Sequence, residues 1–215
     1  MAYIHALRFS WLTSLYDPVV RWTTREATFK RRLVAEATVE NGQRILDLGC
    51  GTGTLAILLK RAVPGTEVVG LDGDVKILDI ARTKAEAVGV DIAFDEGMSF
   101  ELPYPANSFD RVVSTLLFHH LTREAKHNTL AEVFRVLKPG GELHVGDWGM
   151  AQNGLMRGLF AIVQLLDGFE TTADNVEGRL PEFFREAGFN DVRVSANYAT
   201  ALGTISLYAA VKPKS

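Results

Sequence analysis

Apolar residues along the chain fall into two spacings. Short runs of strand length occur at 45–48, 67–71, 90–94, 109–117 and 142–147, set off by glycine, proline or asparagine. They are rich in valine, isoleucine and leucine and alternate little, as strands buried on both faces of a sheet must be. Between them apolar residues recur every three or four positions, which predicts helices. One spans 28–39, with Phe29, Leu33 and Ala37 on one face and Lys30, Arg31 and Arg32 on another. A second opens at Thr54. Asp74 caps a third, running to about 88, whose inward stripe reads Ile77, Ile80, Ala81, Ala85 and Val88. Thr122 caps a fourth, to 137, with Ala125, Leu130, Val133, Phe134 and Leu137 inward. Residues 154–169 form a very apolar helical stretch, 170–177 reads as a polar mobile loop, and 180–187 is a short helix. Two final strands, 192–198 and 204–211, are linked closely enough to pair antiparallel. Strands alternating with helices predict an α/β fold with a mostly parallel sheet.

The chain is organised around R-I-L-D-L-G-C-G-T-G-T-L-A-I-L-L at 44–59. A buried strand, a glycine turn and a helix N-terminus make a nucleotide site. Gly49, Gly51 and Gly53 allow the tight turn and a close backbone approach. Asp47 decides which nucleotide. A pyrophosphate gains nothing from a carboxylate at the strand end, whereas a cationic amino-acid head gains a charge-assisted hydrogen bond. Asp72 lies about 20 residues beyond the glycines, where a carboxylate accepts from ribose hydroxyls, and Gly73 gives the adenine edge room. A ribose is common to S-adenosylmethionine and NAD. The spacing here is G-x-G-x-G rather than the G-x-G-x-x-G of nicotinamide sites.

Length and composition narrow the class. The 215 residues suit one domain, and 47% apolar content argues against disorder. A net charge of −3 gives no footprint for nucleic acid. Cys50 is the single cysteine, so an internal disulfide and a multi-cysteine metal site are excluded, and its place inside the turn reads as packing. His119 and His120 are adjacent, so their side chains diverge and no metal site is expected. No run reaches the ~18 apolar residues of an integral membrane segment. No secretory start is evident either, which gives a cytoplasmic expectation.

D-L-G-C-G-T-G closely resembles the first motif of class I S-adenosylmethionine-dependent methyltransferases. D-E-G-M-S-F-E-L-P-Y at 95–104 is similar to the third signature of that family, and L-K-P-G-G with E-L-H-V-G-D at 137–147 to a later one. R-E-A-G-F at 185–189 is a familiar C-terminal feature, and Tyr16-Asp17 resembles a pair found ahead of the first motif in the methyltransferase type 11, or ubiquinone-menaquinone methyltransferase-like, branch. The resemblance covers about residues 40–148. It implies a Rossmann-like, seven-stranded, mostly parallel sheet with the last strand antiparallel and helices on both faces. It implies a 1–40 helical segment, either a lid or packing on the sheet edge, then a methyltransferase domain over 41–215 with a helical insertion near 150–178.

The implied cofactor is S-adenosyl-L-methionine, giving S-adenosyl-L-homocysteine. Tyr16, Asp47, Gly49, Cys50, Gly51, Asp72, Gly73, Met98, Ser99, Thr115 and Leu116 are its candidate contacts. Met98 stands where the family usually carries an acid for the adenine amino group, so its sulfur would cover the ring face instead. His119 or His120 is the candidate general base, although a methyl on a sulfonium is already activated and a base is optional. The acceptor is a small molecule, apolar if 154–169 lines its pocket. Two rival readings stay open: a cofactor-binding protein without transferase activity, and a nicotinamide-dependent oxidoreductase. Nothing in the sequence indicates an oligomeric state.

Overall fold

The fold is taken from a computed structural model, which describes residues 26–150, 158, 168–201 and 203–214. Its strands are β1 (Arg44–Leu48), β2 (Glu67–Asp72), β3 (Ala93–Glu96), β4 (Phe109–Thr115), β5 (Leu137–Gly149), β6 (Asn190–Thr200) and β7 (Gly203–Val211). The helices are α1 (Glu26–Glu36), α2 (Thr54–Ala62), α3 (Val75–Ala87), α4 (Arg123–Val136), α5 (Phe169–Val176) and α6 (Leu180–Glu186), with a 3₁₀ turn at Phe118–His120. The strands form one sheet in the order β3-β2-β1-β4-β5-β7-β6. Pairs from β3 through β5 are parallel, and β7 runs antiparallel to both β5 and β6.

Alternate residues of the central strands face opposite layers. Ile45 and Val113 join Leu33, Leu55 and Leu78 of α1, α2 and α3. Leu46, Val112 and Leu143 join Leu130 and Val133 of α4 and Phe183 and Phe184 of α6. Helices therefore cover both faces, which is why these strands carry apolar residues at nearly every position. Gly146 on β5 lets α1 lie close: a Cβ there would sit 3.3 Å from Leu33 and 3.4 Å from Phe29.

Several sequence expectations are corrected. The inward stripe of α3 is Leu78, Ala81 and Ala85, whereas Ile80 and Val88 are exposed. The cause is the glycine turn, since a Cβ at Gly53 would stand 3.0 Å from that of Ala81. This close approach fixes the rotation of the helix. Helix α4 stops at Val136, and Leu137 opens β5 instead. Strand β3 starts at Ala93, three residues later than expected.

Residues 169–176, largely read as a loop, form α5. Its buried residues are mostly polar: Thr171, Thr172, Asp174 and Asn175. Lys126, fully buried on α4, donates to Thr171 O at 2.6 Å and to Asp174 at 3.4 Å, and Arg123 grips the same carboxylate. Burial lowers the pKa of Lys126.

Candidate functional site

The candidate residues gather at the C-terminal ends of the parallel strands, where open α/β sheets bind ligands. β1 ends in Asp47-Leu48, and the turn Gly49–Gly53 carries the chain into α2. Gly49, Gly51 and Gly53 all have φ between 52° and 72°, a region that β-carbons disfavour. A Cβ on Gly49 would meet Leu117 at 2.9 Å, whereas one on Gly51 would meet none of the described residues within 4 Å. Gly51 therefore faces a side left open by the described residues. Cys50 packs inward near Gly70 and Phe94, and burial pushes its thiol up, so it is inert. This agrees with the packing reading.

Asp47 is 1% exposed. Its Oδ2 accepts from the Ala56 N–H at 2.9 Å, in the first turn of α2, and its Oδ1 has no hydrogen-bond partner among the described residues. Burial raises its pKa to about 7, against the pull of the Lys30 charge. Asp72, at the end of β2, accepts from the N–H groups of Gly51 (2.9 Å) and Asp74 (3.1 Å). It thus ties the turn to the next strand, and burial raises its pKa as well. Gly73 follows directly, half-buried at the head of α3.

Beyond β3, Met98 is half-buried and forms a bridge with Glu101. Ser99 shares a hydrogen bond with Thr129 of α4, so its hydroxyl is committed while its backbone stays by the strand end. Asp95 accepts from the Tyr104 hydroxyl at 2.9 Å. Tyr16 lies outside the described residues, as do most of the 1–40 segment and most of the apolar 154–169 stretch.

The other half of the crevice is built from β4 and β5. Thr115 closes β4, and Leu116 holds φ +57° while donating to Gly146 O. A left-handed leucine is a strained turn of the kind found beside functional sites. It swings the chain into the 3₁₀ turn carrying both histidines. Their fates differ. His119 is 3% exposed, and its Nδ1 lies 2.7 Å from Asp147 Oδ1. His120 packs against it with the rings tilted by 42° and their centroids 3.9 Å apart, and is half-buried. Burial and the neighbouring imidazole hold His120 well below the usual histidine pKa, so it is neutral at pH 7.

Asp147 was read only as a strand-end residue, although it fixes the histidine turn. Lys30 was read as part of a charged face and is buried. Asp147 carries no local signal because Phe118 and His119, which it fixes, come from another strand's end, and Lys30 carries none because hydropathy does not distinguish its buried pair with Glu26 from a solvated one.

With that geometry in place, residues 45–141 match the family model described as a methyltransferase domain. The chain is 41% identical over 139 residues to the demethylmenaquinone methyltransferase of Thermus thermophilus, covering 64% of this chain and 62% of that one, a little under two thirds of its length. Against the demethylmenaquinone methyltransferase of Symbiobacterium thermophilum identity is 30% over 209 residues, with 85% and 81% covered. The Haemonchus contortus phosphoethanolamine N-methyltransferase 2, solved in complex with S-adenosyl-L-methionine, superposes with a TM-score of 0.69 at 20% identity, over 86% of this chain and 52% of that one. The last likeness shows the fold, and the sequence relatives show the kinship. The chain belongs to the class I S-adenosylmethionine-dependent methyltransferases.

Proposed function

We propose that the protein transfers a methyl group from S-adenosylmethionine to a small apolar acceptor, leaving S-adenosylhomocysteine. The observation that carries this reading is the partnerless, buried Oδ1 of Asp47 beside a glycine turn that faces open space at Gly51. A cationic amino-acid head complements that oxygen, and an adenosyl group suits the open side, so the residues fit the cofactor. A nicotinamide dinucleotide would set a phosphate against the carboxylate.

Asp47 holds the ammonium, Asp72 the ribose hydroxyls, and Gly73, Met98 and Ser99 border the adenine. When bound, S-adenosylmethionine supplies a methyl carbon activated by the sulfonium. The chain's own task is to align the acceptor and exclude water. Thr115 and Leu116 border the transfer. His120, its imidazole neutral and without a hydrogen bond among the described residues, accepts the acceptor's proton. His119, oriented by Asp147, supports it by ring contact.

The acceptor class follows the relatives' name: a demethylated quinone of the menaquinone type in its reduced form is the first to try. Nucleic acid is not a partner on the charge balance, and a cytoplasmic site of action is consistent with the absence, among the described residues, of any helix long and apolar enough to cross a membrane.

Calorimetric titration with S-adenosylhomocysteine beside NADH tests the cofactor. Binding of the former alone is expected, and binding of NADH alone overturns the reading. Mass spectrometry of a short-chain demethylmenaquinol incubated with enzyme and S-adenosylmethionine then tests the acceptor.

A further inference from the structure

Among the described residues two buried side-chain oxygens lack a hydrogen-bond partner, Asp47 Oδ1 and Asn175 Oδ1. Both lie at the C-terminal ends of the parallel strands, on different halves of the crevice. Asp47 belongs to the end of β1. Asn175, on α5, is fully buried, and its Nδ2 donates to Trp148 O near the end of β5 at 3.3 Å. β5 stands two strands from β1, roughly 10 Å at ordinary strand spacing. The cofactor of the reading above runs from Asp47 toward Asp72 on β2, away from β5. The open oxygen of Asn175 therefore points to a second ligand.

The rest of α5 shows a satisfied polar face. Thr171 and Thr172 donate to Gly168 O, and Asp174 is held by Arg123 and Lys126. A buried amide oxygen left unpaired costs about 1–3 kcal/mol, a cost that an apolar side chain at 175 would avoid. The amide is also joined to the histidine turn. Trp148, whose carbonyl it holds, donates through its N–H to Asp147 Oδ1, and that oxygen lies 2.7 Å from His119 Nδ1. Helix α5 itself packs against the turn.

We infer that Asn175 reads the methyl acceptor: its Oδ1 accepts a hydrogen bond from an acceptor hydroxyl, so the site takes a reduced quinol and rejects the oxidised quinone. An amide oxygen can only accept. A quinol hydroxyl donates to it, whereas a quinone carbonyl sets a second lone pair against it. The inference rests on the methyl-transfer reading above and adds the residue that selects the acceptor's redox state. Because Asn175 is fully buried, the acceptor enters with a shift of α5, whose buried contacts are largely hydrogen bonds and ion pairs.

The test is anaerobic calorimetry on the full chain saturated with S-adenosylhomocysteine. It is titrated with a short-chain demethylmenaquinol and, separately, with the oxidised demethylmenaquinone. The unmodified protein should favour the quinol by at least about tenfold. Asn175→Leu should weaken the quinol by about tenfold and the quinone by no more than about twofold, so that the preference collapses. Asn175→Ser, smaller and still polar, is read by the same ratio should the leucine variant not fold. Equal affinity of the unmodified protein for the two forms, or a preference that survives in the folded variant, overturns the inference and leaves the methyl-transfer reading standing. Binding of neither form by the unmodified protein overturns the quinol reading of the acceptor, and the inference falls with it.

Discussion

Two aspartates stand at the ends of parallel strands, both almost wholly buried, and they are built in opposite ways. Asp147, at the end of β5, has every side of its carboxylate engaged: Oδ2 accepts from the Phe118 N–H, and Oδ1 from the Trp148 N–H and His119, each at 2.7 Å. Asp47, at the end of β1, has one N–H from Ala56 and an empty oxygen. Burying a carboxylate without partners is unfavourable, and a fold tolerates it where a ligand completes the set. The first aspartate is part of the fold, and the second has the open valence that the proposed cofactor site requires. The contrast teaches that burial alone does not mark function, whereas incomplete hydrogen bonding does.

The comparison can be broken most directly at Asp147. Replacing it with Ala leaves two buried N–H groups and an imidazole unsatisfied, so unfolding free energy should fall by about 3–5 kcal/mol. Urea melts will show this, and a loss below about 1 kcal/mol would put Asp147 in the same class as Asp47.

The next effect is on pH. The folded pKa of Asp47, about 7, is above the ordinary carboxyl value of about 4. Its neutral form thus favours the fold, a contribution full below pH ~4 and lost as pH rises through about 7. Relative to Asp47→Asn, the unliganded protein should lose on the order of 3 kcal/mol across that window. Cofactor affinity should move the other way and tighten as Asp47 ionises. Parallel stability curves for the two proteins would show that Asp47 does not titrate there.

At pH 7.5, Asp47→Asn should reduce S-adenosylhomocysteine affinity about a hundredfold, roughly 2.7 kcal/mol, while the melting temperature of the unliganded protein rises, because the buried charge is gone. The smallest expected change sharpens the picture of the open side. Gly51→Ala should cost about 1 kcal/mol in stability, from the left-handed backbone alone, since its Cβ meets no protein atom. It should still weaken cofactor binding by filling ligand space. Undiminished affinity would move the ligand away from Gly51.

The strand–turn–helix geometry of the proposed cofactor half is legible in the sequence because it is local. Asp47, the glycines and Asp72 lie within one strand–turn–helix–strand unit, and each glycine stands where a positive φ requires it. The other half is not. His119 and Asp147 are 28 residues apart, and only the parallel pairing of β4 with β5 brings them together. Helix α5 was missed because hydropathy cannot distinguish a buried polar face from a solvated one. Its threonine hydroxyls donate back to Gly168 O, while Asp174 and the Thr171 carbonyl are satisfied by Arg123 and Lys126, which come from another helix. Lys30 was misread for the same reason. The α3 stripe failed differently, because adjacent apolar residues at 77–78 and 80–81 allow two helix rotations, and the Gly53–Ala81 approach that selects one is invisible along the chain.

Strand β7 is the last in sequence, yet it lies inside the sheet, paired with β5 along Glu142–Gly149 on one side and with β6 on the other. The sheet is therefore a structure that closes from its end backwards. A chain shortened before residue 203 would expose the bare edges of two long strands, and such edges recruit other chains. The stretch that carries the family signatures, 45–141, stops within β5. It can be recognised on its own, but it is not expected to fold on its own, and attempts to express it as a minimal module should yield aggregates.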